Sequence, residues 1–411
     1  MVSLRRFGIV LFVLIVFARW VEASGFSVYE YGAEEQAEGN AVAAQVKSPS
    51  AIFYNPAGMA DLQGTQVRVG TSILFPRIIF HSNTTGLDTK VDAGLVTPTY
   101  LFITKEVANF GIGFGFFSAN GNQVDYPKDW EGRFFLTSAK LLQLNFAPTI
   151  AYKVCQNLSI GISTVLTYAE IQQGNQIDLS PFGVPGEGSL GLKGNGFGAG
   201  ATVGIKGRLG SSMLLGVVYK SPMTIRFDGN ADFQTPAALT SLFPDGGFHT
   251  TLKFPQMVIV GLANQSVHKL TVEADLQWTN WHTFSSQALA FDNKTIAVQD
   301  VSIPFNWRNT WTVRFGGHYD INDTVTVRLG YVFDPSAVPD STISPLFPEL
   351  NKHIVTAGLG IRQGRWTADL YYGRIIAESR HVDNSLPRFP TQRGEYEASA
   401  DAVGISIGYR F

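Results

Sequence analysis

Apolar and polar residues alternate along most of the chain beyond about residue 66, most regularly at its end. Val403, Ile405, Ile407, Tyr409 and Phe411 are apolar, while Ala402, Gly404, Ser406, Gly408 and Arg410 are small or polar. A period of two is the mark of a strand with one apolar face. Leu270, Val272, Ala274, Leu276 and Trp278 repeat it against Thr271, Glu273, Asp275, Gln277 and Thr279. So do Val325, Val327, Leu329, Tyr331 and Phe333 against Thr324, Thr326, Arg328 and Gly330. The runs 159–168 and 355–362 follow the same rule. Strands are predicted near 66–80, 96–105, 109–124, 132–153, 158–173, 197–208, 213–228, 249–264, 268–288, 299–319, 324–334, 352–363, 365–382 and 396–411. That is about fourteen, an even number, as in single-chain bacterial barrels.

Alternation alone does not choose between a soluble sandwich, whose apolar faces turn inward, and a membrane barrel, whose apolar faces turn outward. The N-terminus favours the barrel. Arg5 and Arg6 precede an apolar run from Phe7 to Ala18, and Val21-Glu22-Ala23 offers a small-residue cleavage site. This reads as a signal peptide over 1–23, because the run is short of the roughly 20 residues of a spanning helix. Beyond it no apolar run of about 18 residues occurs, so transmembrane helices are not expected. Charged residues are 16% of the chain, against roughly 25% in soluble domains. The net charge is −2, which gives no basis for nucleic-acid binding. Cys155 is the single cysteine, which excludes an intramolecular disulfide and a thiolate metal cluster.

A barrel of about fourteen strands is too wide to be filled by its own side chains. Residues 24–65 supply a plug. They are rich in Ala and Gly, contain Ala-Ile-Phe-Tyr-Asn-Pro-Ala-Gly-Met and lack the two-residue alternation. The division expected is a signal peptide over 1–23, a hatch over 24–65 and a barrel over 66–411. Short links such as 105–109 and 320–323 are expected to face the periplasm, and the long links 174–196, 229–248, 335–351 and 383–395 to face outside. Two of these are apolar for loops. One holds Ile177, Leu179, Phe182, Val184, Leu190 and Leu192; the other runs Pro236-Ala237-Ala238-Leu239-Thr240-Ser241-Leu242-Phe243, with a short helix expected from Pro236. Exposed apolar loops bind something or pack on one another.

The mature start Ser24-Gly25-Phe26, the Asn55-Pro56-Ala57 motif, the strand count, the two apolar loops and the terminal Phe411 together resemble the FadL/TodX family of outer-membrane transporters for long-chain fatty acids and aromatic hydrocarbons. The resemblance covers the whole mature chain. It implies a fourteen-stranded outer-membrane barrel with an N-terminal hatch. It also implies a ligand groove between the two loops (Phe182, Leu239, Leu242, Phe243) and an inner pocket reached by Phe26. The ligand would leave sideways where the third strand kinks. In that strand Gly111, Gly113 and Gly115 are the polar-side positions, and the kink would fall near Asn120-Gly121. Glycines there leave space or mark a bulge, for a lateral gate or for close packing against the hatch. Pro56 stiffens the hatch turn.

Arg308 is the expected ligand anchor. If Trp311, Val313 and Phe315 face outward, even positions face the lumen, and a guanidinium there can grip a carboxylate at two points. It matches the family's basic residue on this strand. The second, at the end of the fifth strand, is missing: Gln172-Gln173-Gly174-Asn175 stands there, which leaves neutral substrates open. Trp278 and Trp281 read as interfacial girdle residues. Gly404-Ile405-Ser406-Ile407-Gly408 matches a nucleophile elbow, but it lies within a strand, not at a strand-to-helix turn. No catalytic, metal or cofactor motif is found, and no enzyme is expected. The reading is a monomeric outer-membrane protein that passes a long-chain fatty acid or other hydrophobic small molecule, in contact with outer-membrane lipid. The alternatives are neutral aromatic hydrocarbons as substrate, an adhesin or structural barrel without transport, and a barrel lipid hydrolase.

Overall fold

The computed structural model describes residues 31–118, 122–384 and 392–411. Their strands form one antiparallel sheet that closes on itself. The first strand, Thr65–Ser82, pairs with the last, Gln392–Arg410, from Gln66 opposite Arg410 to Ser82 opposite Gly394. Closure removes the free edges of the sheet, whose rows of unpaired backbone groups hydrocarbon would not tolerate. The 21 strand segments join end to end into fourteen strands around the wall, several of them broken once.

The faces settle the ambiguity between sandwich and barrel. Ile160, Ile162, Ile405 and Ile407 are exposed on the outside, while Ser163, Thr312 and Ser406 are fully buried within. An apolar exterior over a polar interior is the arrangement for lipid around a lumen. At one end the links are tight, and Ala108 (φ 53°) and Lys269 (φ 64°) hold the left-handed conformation that such turns require.

Residues 31–64 lie inside the barrel toward the short-turn end. Here the inward glycines of the wall find their use. A Cβ on Gly316 would fall 1.9 Å from the Glu38 carbonyl oxygen, and one on Gly216 2.1 Å from that of Ala43. The wall thus approaches the backbone of the inner segment directly.

The upper lumen differs from expectation. The link 335–351, expected to face outside, is mostly buried. Ala337, Ile343, Leu346, Phe347 and Leu350 join Trp281, Phe284, Phe305 and Trp307 in an aromatic-rich cluster. Trp281 is therefore not a girdle residue: it is fully buried, 5.0 Å from the ring of Trp307. The predicted strands 268–288 and 299–319 are each broken, leaving Leu270–Thr279 with Ser286–Phe291, and Val301–Pro304 with Thr310–Asp320. The breaks turn these aromatics into the lumen, where period-two reasoning would not place them. Arg380 ties the folded-in link down. Its guanidinium donates to the carbonyls of Val338 (2.7 Å) and Glu349 (3.2 Å) and to Asp340 Oδ1 (2.7 Å).

Candidate functional site: an inner pocket above a charged seat

A cavity of about 110 Å³ lies between the inner segment and the aromatic cluster. Ile52 and Phe53 form its floor, and Phe117, Met223, Phe254 and Met257 much of its wall. One cation borders it. Lys220, at an inward position of the strand Met213–Lys220, places Nζ 3.6 Å from the centroid of the Phe53 ring. Lys220 also borders a smaller adjoining void with Arg314, Tyr54 and Gln277. An ammonium over an aromatic face, in apolar surroundings, is suited to the charged end of an amphipath.

Beneath the pocket the inner segment is held by polar contacts to many strands. Asn55 is fully buried. Its Oδ1 accepts the Ala57 N–H (3.1 Å), and its Nδ2 donates to the carbonyls of Ala43 (2.6 Å) and, across to the wall, Ile205 (3.1 Å). Pro56 then opens the 3₁₀ turn Pro56–Asp61, at a position where its missing N–H costs nothing. Asn55→Ala is expected to destabilise the protein by about 2–3 kcal/mol, since it strands a carbonyl and an N–H in a buried setting. A thermal melt of the purified variant in detergent checks this.

On the other side, acids of the inner segment meet wall arginines. Arg328 contacts Glu38 (3.2 Å), Glu34 (3.6 Å) and Asp369 (2.9 Å). Arg68 contacts Asp369 (2.8 Å) and Glu34 (3.3 Å), and His318 reaches Glu38 (3.1 Å). Asp275 accepts the N–H groups of Val42 and Ala43, and Glu273 that of Ala44. Ser406, of the elbow-like motif, accepts the Ala33 N–H at 2.7 Å; its role here is to hold the segment. Below the seat is a polar vestibule of about 960 Å³ bordered by Glu34, Asp61, Lys206 and the short turns.

Two neighbouring carboxyls of the inner segment titrate in opposite directions. Burial works against the charge of Glu34, yet the Arg328 and Arg68 guanidiniums hold it down at about 2. Burial pushes Glu35 up to about 7, with the charge of Glu34 adding to the rise, although Ser48 and Ser50 donate to it. An unfolded Glu releases its proton near 4.3. The contribution of Glu35 is therefore complete below that value and is lost as pH rises through about 7. That of Glu34 is present above it and is lost as pH falls toward about 2. Protease resistance of residues 31–64 is expected to fall between about pH 4.3 and pH 7, and Glu35→Gln to flatten the fall. An unchanged slope in the variant would assign the fall to another group.

The other predicted site residues are placed as follows. Gly111, Gly113 and Gly115 lie against Met59 and Ile52 of the inner segment, where a side chain would not fit without a shift. Asn120 and Gly121 fall outside the described residues, as does Phe26. Arg308 precedes the strand that begins at Thr310 and is exposed, so the inward alternation of Thr310, Thr312 and Arg314 does not extend to it. The two apolar loops do meet. Phe182 and Phe243 pack edge to face at 5.2 Å, and Leu239 and Phe243 are buried in a cluster that Leu242 packs against. A 3₁₀ turn, Ala237–Leu239, follows Pro236. Sequence reasoning missed Lys220. The signal was there: an inward position ahead of Ser221-Pro222, where the strand must break.

The profile of the outer membrane protein transport proteins (OMPP1/FadL/TodX) matches residues 14–411. The chain belongs to this family. An outer membrane protein of Neisseria meningitidis serogroup B is 26% identical to it over 95% of each chain. The long-chain fatty acid transport protein of Salmonella typhi is 23% identical over 88% of each. Among solved structures, a Pseudomonas aeruginosa FadL homologue superposes with a TM-score of 0.86 at 19% identity, covering 94% of this chain and 100% of its own. The P. putida toluene transporter TodX gives 0.74 at 18%, over 93% and 99%. This FadL-family barrel thus resides in the outer membrane and transports hydrophobic substrates. Its short turns then face the periplasm and its long loops the exterior.

Proposed function

We infer that the protein passes long-chain fatty acids inward by diffusion, with residues 31–64 as the hatch and Lys220 holding the carboxylate. The observation that carries this is the Lys220 ammonium over Phe53 at the edge of an otherwise largely apolar pocket. The fatty acid transport protein among the relatives supports the substrate class. A sideways exit near the third strand is supported by its ladder. Pairing with the second strand stops at Tyr100–Phe117, and the next described link is an isolated bridge, Asp92–Asp125. Phe117 lines the pocket at that point.

One observation favours a neutral aromatic hydrocarbon instead. The cavity of about 110 Å³ is nearer the scale of a single benzene than of a long chain, since an engineered apolar cavity of about 150 Å³ takes benzene. Organic extraction of the purified protein with mass spectrometry, paired with titration of palmitate, methyl palmitate and toluene, separates the readings. Palmitate bound more tightly than its ester supports the acid; toluene bound more tightly than both rejects it.

A further inference from the structure

The wall has a second break, between the sixth and seventh strands. The sixth, Glu187–Leu209, pairs with the fifth along its whole length. Its ladder to the seventh is in two blocks. Thr202–Leu209 pair with Met213–Lys220, and Ser189–Asn195 with Asp228–Gln234. Between the blocks, residues 196–201 face residues 221–227, so the register slips by one. Ser221 and Ala201 close the lower edge. The Ser221 N–H donates to the Ala201 carbonyl (2.8 Å), and the Ala201 N–H donates to Ser221 Oγ (2.9 Å). Pro222 follows and has no N–H to continue.

Above that point the seventh strand passes on the lumen side of the sixth. A Cβ on Gly196 would lie 2.1 Å from the Arg226 carbonyl oxygen, and one on Gly198 2.7 Å from Cγ1 of Ile225. Only glycine at these inward positions permits such an approach. On the outer side the sixth strand offers Ala199 and Ala201, which are small, and Phe197, whose ring packs on Tyr168 of the fifth strand (5.2 Å), away from the interval. Ala201 is eight residues from Leu209, hence about 20 Å above the periplasmic turn at ordinary strand rise and tilt. This depth falls in the outer half of an apolar band about 25 Å tall. Unpaired backbone at such depth is tolerated where it lines a cavity, and the inner pocket reaches it: Gly200, Ala201, Ser221 and Met223 all line that pocket.

We propose that this gap is a second lateral port, through which the chain of a hydrophobic ligand passes between the inner pocket and the outer leaflet, with the Met223 side chain as its movable cover. The port rests on the reading of the pocket as a ligand site. It also meets a need of that reading, since a long chain cannot be housed in about 110 Å³ and must continue somewhere. Met223 is suited to the role because an unbranched thioether repacks easily.

The test uses the protein in nanodiscs whose lipids carry brominated chains. A stearate with a fluorophore on its chain is bound first, and quenching reports its entry into the bilayer. In a Cys155→Ser background, Gly198→Cys with Ile225→Cys sets two thiols within disulfide reach across the gap. The oxidised form is expected to release the probe about fivefold more slowly, a reductant to restore the rate, and Met223→Ala to raise it. The oxidised and reduced forms of the cysteine pair should bind the probe equally at equilibrium. A disulfide confirmed by mass with an unchanged rate, and no response to Met223→Ala, would overturn the port alone. Failure of the wild type to bind the probe would overturn the pocket reading and the port with it. If the cysteine pair does not fold, Met223→Ala and Met223→Phe decide the matter, with opposite changes expected.

Discussion

Lys220→Met is expected to weaken palmitate binding by about 10- to 150-fold and leave methyl palmitate unchanged. Methionine keeps the length and the apolar stem of lysine, so the contact with Phe53 and the shape of the pocket survive. What is lost is the cation that a carboxylate would meet. A hydrogen bond to a charged group contributes about 1.5–3 kcal/mol, which converts to that range of affinity. The ester cannot carry the charge and serves as the internal control. Arg308→Ala, at an exposed position ahead of the strand, is expected to leave both ligands unaffected. Isothermal titration on the three proteins checks all of this. Equal losses for acid and ester in Lys220→Met would mean that the substitution damaged the pocket. A loss confined to Arg308→Ala would return the anchor to the rim.

Arg328→Met is expected to unseat the inner segment. Arg328 stands between Glu34 and Glu38 of the inner segment and Asp369 of the wall. Removing it leaves Glu38 with His318 and the Gln45 amide, and Glu34 and Asp369 sharing Arg68. Breaking a buried ion pair from one side costs about 3–5 kcal/mol, because the remaining charge stays desolvated. The expected readout is larger than a drop in melting temperature. A barrel this wide conducts once its filling moves, so planar bilayers should show ion channels that the wild type lacks. Cleavage of residues 31–64 by added protease should rise in parallel. Adding Glu38→Gln removes the stranded charge and should recover part of the loss. Silent bilayers and unchanged cleavage would show that the remaining contacts, such as Asn55 to Ile205 and the Asp275 carboxylate to Val42 and Ala43, suffice to hold the segment.

The legible part of this protein was whatever is written in period two. Val403 to Phe411 and Leu270 to Trp278 announce strands with one apolar face because neighbouring side chains point to opposite sides of a sheet. Fourteen such strands make a barrel because a closed sheet alone satisfies its backbone in lipid. Asn55-Pro56 was legible as a turn for a similar local reason, since proline fixes its own dihedral and restricts its neighbour's. The glycines were visible but not interpretable. Gly111 and Gly113 read as space on one face, and only the tertiary structure shows that the inner segment occupies it. The folded-in link 335–351 and the burial of Trp281 were not legible at all, and the place of Lys220 only as an inward position ahead of Ser221-Pro222. Each depends on where a strand breaks and which way the chain turns afterwards, and a break resets the alternation from which inward and outward are read. The sequence determined the wall; contacts between residues hundreds of positions apart decided what fills it and where a ligand can sit.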